Sequence, residues 1–203
     1  MQNHGGYTET YDNFPENYYK VGRSYTDANQ YLSLVHESDE AVKNLISYFS
    51  KVDDPVEIIF FGDHQPSLNS NFYPILNGKG LTGLTEDELE KLYTVPFFIW
   101  TNYDTPEETV DITSLDYLST MALERAGIEL PAYNKFLADM QEVVPAINSR
   151  GYYSKSKGCY QHIDEAEGEE KEWIEKYHML QYNSMFDKKN RSSFFFPYNL
   201  KSK

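Results

Sequence analysis

A single cysteine, Cys159, leaves no partner for a disulfide within the chain. Its setting, Lys-Gly-Cys-Tyr in a polar, glycine-flanked stretch, has no accompanying base pattern, so it reads as inert rather than as a nucleophile. Basic residues are scarce. Eighteen Lys and Arg against 32 Asp and Glu give a net charge of −14, which argues against a nucleic-acid backbone as ligand, because that polyanion needs a basic surface. Long hydrophobic runs are missing too: none approaches the roughly 20 apolar residues of a membrane helix. The first residues lack the charged-then-apolar order of a signal peptide, and Met1-Gln2-Asn3-His4 does not resemble a natural protein start. No internal repeat is visible.

What the chain does have is aromatic weight, 18 Tyr and 12 Phe in 203 residues, with 40% hydrophobic and 25% charged residues overall. That composition fits a globular protein with one sizeable core, or one domain with an appended tail. Amphipathic rings are expected at its rim.

The stretch that carries chemistry is Val56-Glu57-Ile58-Ile59-Phe60-Phe61-Gly62-Asp63-His64-Gln65-Pro66. Its β-branched and aromatic run reads as a buried strand ended by Gly62 and Pro66. Asp63 and His64 then fall at the strand's carboxyl end, where α/β sheets bind ligands. Along a strand neighbouring side chains point apart. Past Gly62 that alternation can break, so a carboxylate and an imidazole can converge on one cation or on two close ones. The plainer alternative is a turn in which Asp63 caps the backbone and His64 is an ordinary surface residue.

Residues 1–25 read as loop, with His4 beside Gly5-Gly6. A helix is expected from about Thr26, capped by Thr26 or Asp27, with Tyr31, Leu34, Val35, Ser38, Ala41, Val42, Leu45, Ile46 and Phe49 on one apolar face. It is closed by Asp53-Asp54-Pro55. Thr85-Glu86-Asp87-Glu88 predicts a capping box opening a short helix through Leu92. Val95 to Trp100 predicts a second buried strand with Pro96 at its entry. Further helices are predicted from Asp111 to Ala126, ended by Gly127, and from Pro131 toward Val144. Gly151 to Gly158 reads as loop, and Asp164 to Glu172 as an acidic run leading into a helix of about residues 166–187 that docks back on the body. Lys188, Lys189, Arg191 and Phe194–Phe196 form a tail with no assigned place.

Taken in order, Asn3-His4-Gly5-Gly6-Tyr7, Phe61-Gly62-Asp63-His64, Val95-Pro96-Phe97-Phe98-Ile99-Trp100 and the Asp111-Ile112 helix ending Ala126-Gly127-Ile128 resemble the C-terminal half of a sulfatase-type domain. The likeness is greatest to the lipoteichoic acid synthase and phosphoglycerol transferase branch. It covers roughly residues 1–130, and Tyr177 to Tyr182 resembles that family's C-terminal helix.

The resemblance implies an α/β fold: a partial sulfatase-like (alkaline-phosphatase-like) sandwich with a mostly parallel sheet flanked by helices, its first strands lying before this chain. Residues 1–148 would be the C-terminal portion of the catalytic domain and 149–203 an extension. It further implies metal ligands at Asp63 and His64, a substrate-side role for His4, and Mn2+ or Mg2+ as cofactor. A threonine nucleophile and a glutamate ligand are expected upstream of the Asn-His motif. Thr8, Thr10 and Thr26 lie in the wrong place for that nucleophile, so no catalytic residue is assigned within the chain, which by itself is expected to be inactive.

The implied reaction moves glycerophosphate from phosphatidylglycerol to an envelope polymer, on the extracellular face of a bacterial membrane. The parent would be membrane-anchored through earlier segments and the chain itself soluble. A sulfate-ester or phosphodiester hydrolase of the same superfamily is the alternative within this class. Outside it stands a non-enzymatic, acidic and aromatic-rich module binding glycans or a protein.

Overall fold

The structure, a computed structural model, describes Tyr7, Val21 and residues 25–197. His4 lies outside the described residues. The chain divides into two compact units, Met1–Asp104 and Thr105–Lys203.

The first unit begins with helix α1, Thr26–Phe49. Neither Thr26 nor Asp27 caps it: the residue before the helix, Tyr25, makes no side-chain cap. Asp27 instead accepts the backbone N–H of Asn69 at 2.5 Å, and Asn29 Oδ1 accepts that of Val21 at 2.6 Å. These carboxylate and amide groups are spent on tying distant loops to the helix start. The burial follows them. Asp27, Ala28, Asn29, Gln30, Ser33 and Leu34 are the buried residues of α1, whereas Val35 and Leu45, expected on the apolar face, are both 43% exposed.

Strand β1, Glu57–Phe61, pairs antiparallel with β2, Phe97–Thr101, in the register Ile59 to Ile99. Between them lie two short helices, α2 (Tyr73–Asn77) and α3 (Glu86–Glu90). The mostly parallel sheet is therefore not formed by the described strands, which make two separate antiparallel pairs. The expected burial of β1 is corrected as well. Ile59, Phe60 and Phe61 are each about two-fifths exposed, because a two-stranded ribbon supplies no further strand or helix layer to close over both faces. Phe60 stacks across the ribbon on Phe98, ring centroids 5.1 Å apart.

Among the described residues, the second unit holds most of the buried apolar side chains. Helices α4 (Leu115–Arg125) and α5 (Ala132–Val143) are joined through Gly127, whose φ of +67° gives the left-handed turn that ends α4. Gly151 to Gly158, expected as loop, instead begins a hairpin: β3 (Gly151–Ser154) pairs antiparallel with β4 (Cys159–His162), Tyr153 opposite Tyr160. Helix α6, Gly168–Met185, follows.

Tyr117, Leu137, Met140, Val144, Ile147, Tyr152, Ile174 and Tyr177 form one core cluster. Its three phenols are placed by hydrogen bonds: Tyr117 to the Val144 carbonyl at 2.7 Å, Tyr177 to Asp116 Oδ1 at 2.7 Å, and Tyr152 to Glu170 at 3.1 Å. Burial first, then the neighbouring carboxylates, push all three above the usual tyrosine range, Tyr152 to about 12.

Candidate functional site

The strand β1 ends where its backbone is caught by the entry to β2, Gly62 N–H donating to the Pro96 carbonyl at 3.1 Å. Glycine at this position has a steric cause. A Cβ on Gly62 would stand 2.9 Å from Cβ of Val95, so only hydrogen fits between the two chain segments. The next residues leave the ribbon and turn. His64 N–H donates to Asp63 Oδ1 at 3.0 Å, and the Gln65 side chain donates to the Thr94 carbonyl, pinning the turn to the segment before β2.

This turn brings the two predicted ligands together. Asp63 Oδ2 and His64 Nε2 are 3.6 Å apart, and both side chains are largely exposed, 77% and 63%. His64 Nδ1 lies 2.9 Å from the Gln65 carbonyl. A carbonyl accepts only, so Nδ1 carries the proton and the neutral ring presents its lone pair at Nε2, on the side of Asp63.

The donor set fits a divalent cation. Two ligands each at about 2.1 Å, subtending 90–110° at the ion, lie roughly 3.0–3.4 Å apart, close to the separation seen. One imidazole nitrogen and one carboxylate oxygen suit Mn2+, and the carboxylate also suits Mg2+. Among the described residues no group of three or more His, Cys, Asp or Glu is placed to hold a metal, and Asp63 and His64 stand together as a pair.

His4, the third predicted site residue, is outside the description. Tyr7, three residues on, packs edge-on against Tyr31 of α1 at 5.4 Å. The sequence reading missed Gln65, whose backbone carbonyl orients the imidazole and whose side chain anchors the turn. An isolated glutamine carries no pattern by which to find it.

A family model described as Sulfatase matches residues 1–128, so the chain belongs to the sulfatase family. It is 28% identical over 150 residues to a Rhizobium meliloti (strain 1021) protein described as modifying cyclic β-1,2-glucan, a match covering 70% of this chain and 23% of that protein. A second protein of that strain, the capsular polysaccharide biosynthesis protein RkpI, is 41% identical over 51 residues, 25% of this chain and 10% of its own length. The chain thus spans less than a quarter of either relative. Among solved structures, Streptococcus pyogenes phosphoglycerol transferase GacH in complex with sn-glycerol-1-phosphate matches 90% of this chain and 42% of its own, with a TM-score of 0.61 at 16% identity. That likeness extends the α/β, sulfatase-like fold over nearly the whole chain. Family membership supports an enzyme of the sulfatase superfamily.

Proposed function

We propose that the chain is the metal-ligand-bearing part of a phosphoglycerol transferase of the lipoteichoic acid synthase type, moving glycerophosphate from a phosphatidylglycerol head group to a cell-envelope polymer. The observation that carries this reading is the turn after β1, with Asp63 Oδ2 and His64 Nε2 3.6 Å apart and the imidazole oriented by the Gln65 carbonyl. The likeness to a phosphoglycerol transferase fold supports the phosphate-ester substrate. The relatives named for a glucan and a capsule support an envelope polymer as acceptor.

In this reading Asp63 and His64 hold Mn2+ or Mg2+, and His4 faces the substrate phosphate or protonates the leaving oxygen. The cation, when bound, lowers the pKa of the attacking hydroxyl and offsets charge gathering on the phosphoryl oxygens. This chain's own contribution is positional. Gly62 lets the strand end approach Val95, Gln65 fixes the turn and the tautomer, and the two ligands are presented outward toward the remainder of the site. The nucleophile and a further acidic ligand belong to preceding sequence, and the parent is anchored at the outer face of the membrane. A sulfate-ester hydrolase is the competing reading, favoured by the family model itself.

The test is manganese titration of the chain, followed by calorimetry and by the electron paramagnetic resonance of free Mn2+. Weak binding is expected, lowered at least about tenfold by Asp63→Asn or His64→Ala, with no turnover of phosphatidylglycerol or sulfate esters by this chain alone. Unchanged binding in both variants refutes the ligand assignment, and robust turnover refutes the placing of the nucleophile. Joined to its preceding sequence, the protein should release diacylglycerol from phosphatidylglycerol; sulfate release instead would make it a sulfatase.

A further inference from the structure

The last sixteen residues are charged unlike the rest of the chain. Residues 188–203 contain Lys188, Lys189, Arg191, Lys201 and Lys203 and no acid, so with a total of −14 the residues before them carry −19. Among these cations runs Phe194-Phe195-Phe196-Pro197-Tyr198.

In the structure this segment follows directly on an apolar face of α6. Met179, Tyr182, Met185 and Phe186 recur at helical three- and four-residue steps, and all four are 62–65% exposed. Phe194, at 73%, is exposed as well.

Residues 190–196 are held in place. Asn183 of α6 donates to the Asn190 carbonyl at 2.9 Å and accepts Ser192 N–H at 2.8 Å. The one acid between face and tail, Asp187, accepts from Asn190 through Oδ1 at 3.1 and 3.2 Å. Phe196 packs on Tyr133 and Phe195 on Phe136, while the Arg191 guanidinium lies over Phe196. Lys188 and Lys189 are exposed, and neither pairs with a carboxylate among the described residues.

We propose that the end of α6 and residues 188–197 dock on the surface of an anionic bilayer. Methionine and phenylalanine side chains enter the headgroup–acyl boundary, Tyr182 sits at headgroup level, and the lysines meet lipid phosphates. The charge pattern selects this occupant. Five cations interleaved with aromatics complement an anionic surface, and at physiological salt a screening length of about 8 Å lets the tail act despite the acidic body. A second copy of the chain fits less well. The face offers five apolar side chains, far short of the roughly 20–30 residues a side in a stable protein interface. The inference does not depend on the transferase reading, since a hydrolase of this family would dock in the same way.

Co-sedimentation of the whole chain with vesicles tests it, using phosphatidylcholine alone or mixed with phosphatidylglycerol or with phosphatidylserine. Comparable binding to both anionic mixtures is expected, weak to phosphatidylcholine and falling with salt. The pair Lys188→Ala/Lys189→Ala should lower partitioning about 25-fold, at about fivefold per cation, and Phe186→Ser roughly tenfold. Ile128→Ser, exposed elsewhere in the same unit, should leave it unchanged. Binding to phosphatidylglycerol but not phosphatidylserine would mean headgroup recognition and overturn the proposal. So would equal binding to neutral vesicles, no binding at all, or a concentration-dependent dimer abolished by the lysine pair with no vesicle binding.

Discussion

Asn102, just past β2, makes four side-chain hydrogen bonds. Its Nδ2 donates to the carbonyls of Phe49, Val52 and Asp54 at 3.2, 2.9 and 2.9 Å, and its Oδ1 accepts Val56 N–H at 2.8 Å. One amide thus satisfies the carbonyls released where α1 ends and fixes the entry to β1. Replacing it with alanine should destabilise the first unit by about 2–4 kcal/mol, at about 1 kcal/mol per hydrogen bond plus the groups left unpaired. Asn102→Asp, nearly isosteric, should cost at least as much, since a carboxylate would face three carbonyls with nothing to donate. Urea unfolding of both variants decides; a harmless aspartate would mean the donor side is dispensable. None of this was legible beforehand, because an asparagine after a strand looks like any turn residue. Asp63 and His64 were legible because two ligand-forming residues follow a strand directly. Their separation and the tautomer were not, since both depend on the Gln65 carbonyl and on a glycine packed against Val95.

Among the elements, the start of α3 was legible to the residue, while its expected run through Leu92 stops at Glu90. Its capping box is present, Thr85 accepting from Glu88 N–H at 3.3 Å and Glu88 accepting from Thr85 N–H at 2.7 Å. The Lys79 ammonium, 2.8 Å away, could not be read from the pattern. Lys79 first and the Thr85 backbone second hold the Glu88 carboxyl down from its ordinary 4.5 to about 2. A depressed carboxyl stabilises the fold above its unfolded pKa. The contribution is therefore present above pH 4.5 and should drain away as pH falls toward 2. Glu88→Gln should flatten this limb of the stability-versus-pH curve, and an unchanged acid limb in denaturant titrations would contradict it. The β3–β4 hairpin was missed because its polar residues and Gly158 resemble a loop, whereas Tyr152, Tyr153 and Tyr160 supply the strand character. Strand β1 was found and its burial overrated, because apolar composition says that a strand can be buried and not that anything covers it.

At the scale of the whole chain, helix order and the α/β class followed from periodicity and the family resemblance, while the distribution of core did not. Among the described residues, Ala28, Leu34 and Phe72 are the buried apolar residues of the first unit, against twelve in the second. Met140, with no exposed surface at the centre of the second, should cost about 2–5 kcal/mol when cut to alanine. Trp173 packs against that cluster, and Trp100 lies in β2. In a Trp100→Phe background, the remaining fluorescence should report the loss as a lowered urea midpoint; an unmoved midpoint would place Met140 outside the cooperative core. No helix among the described residues is long and apolar enough to cross a membrane.

The contact of Gly62 with Val95 also bears on how such a chain can drift. The Cβ of Val95 sets what position 62 can be. A side chain can arise at 62 only after 95 has shrunk to glycine or the two backbones have parted, and either event would move the turn that presents Asp63 and His64. Across descendants of this sequence, the two positions should change together or not at all.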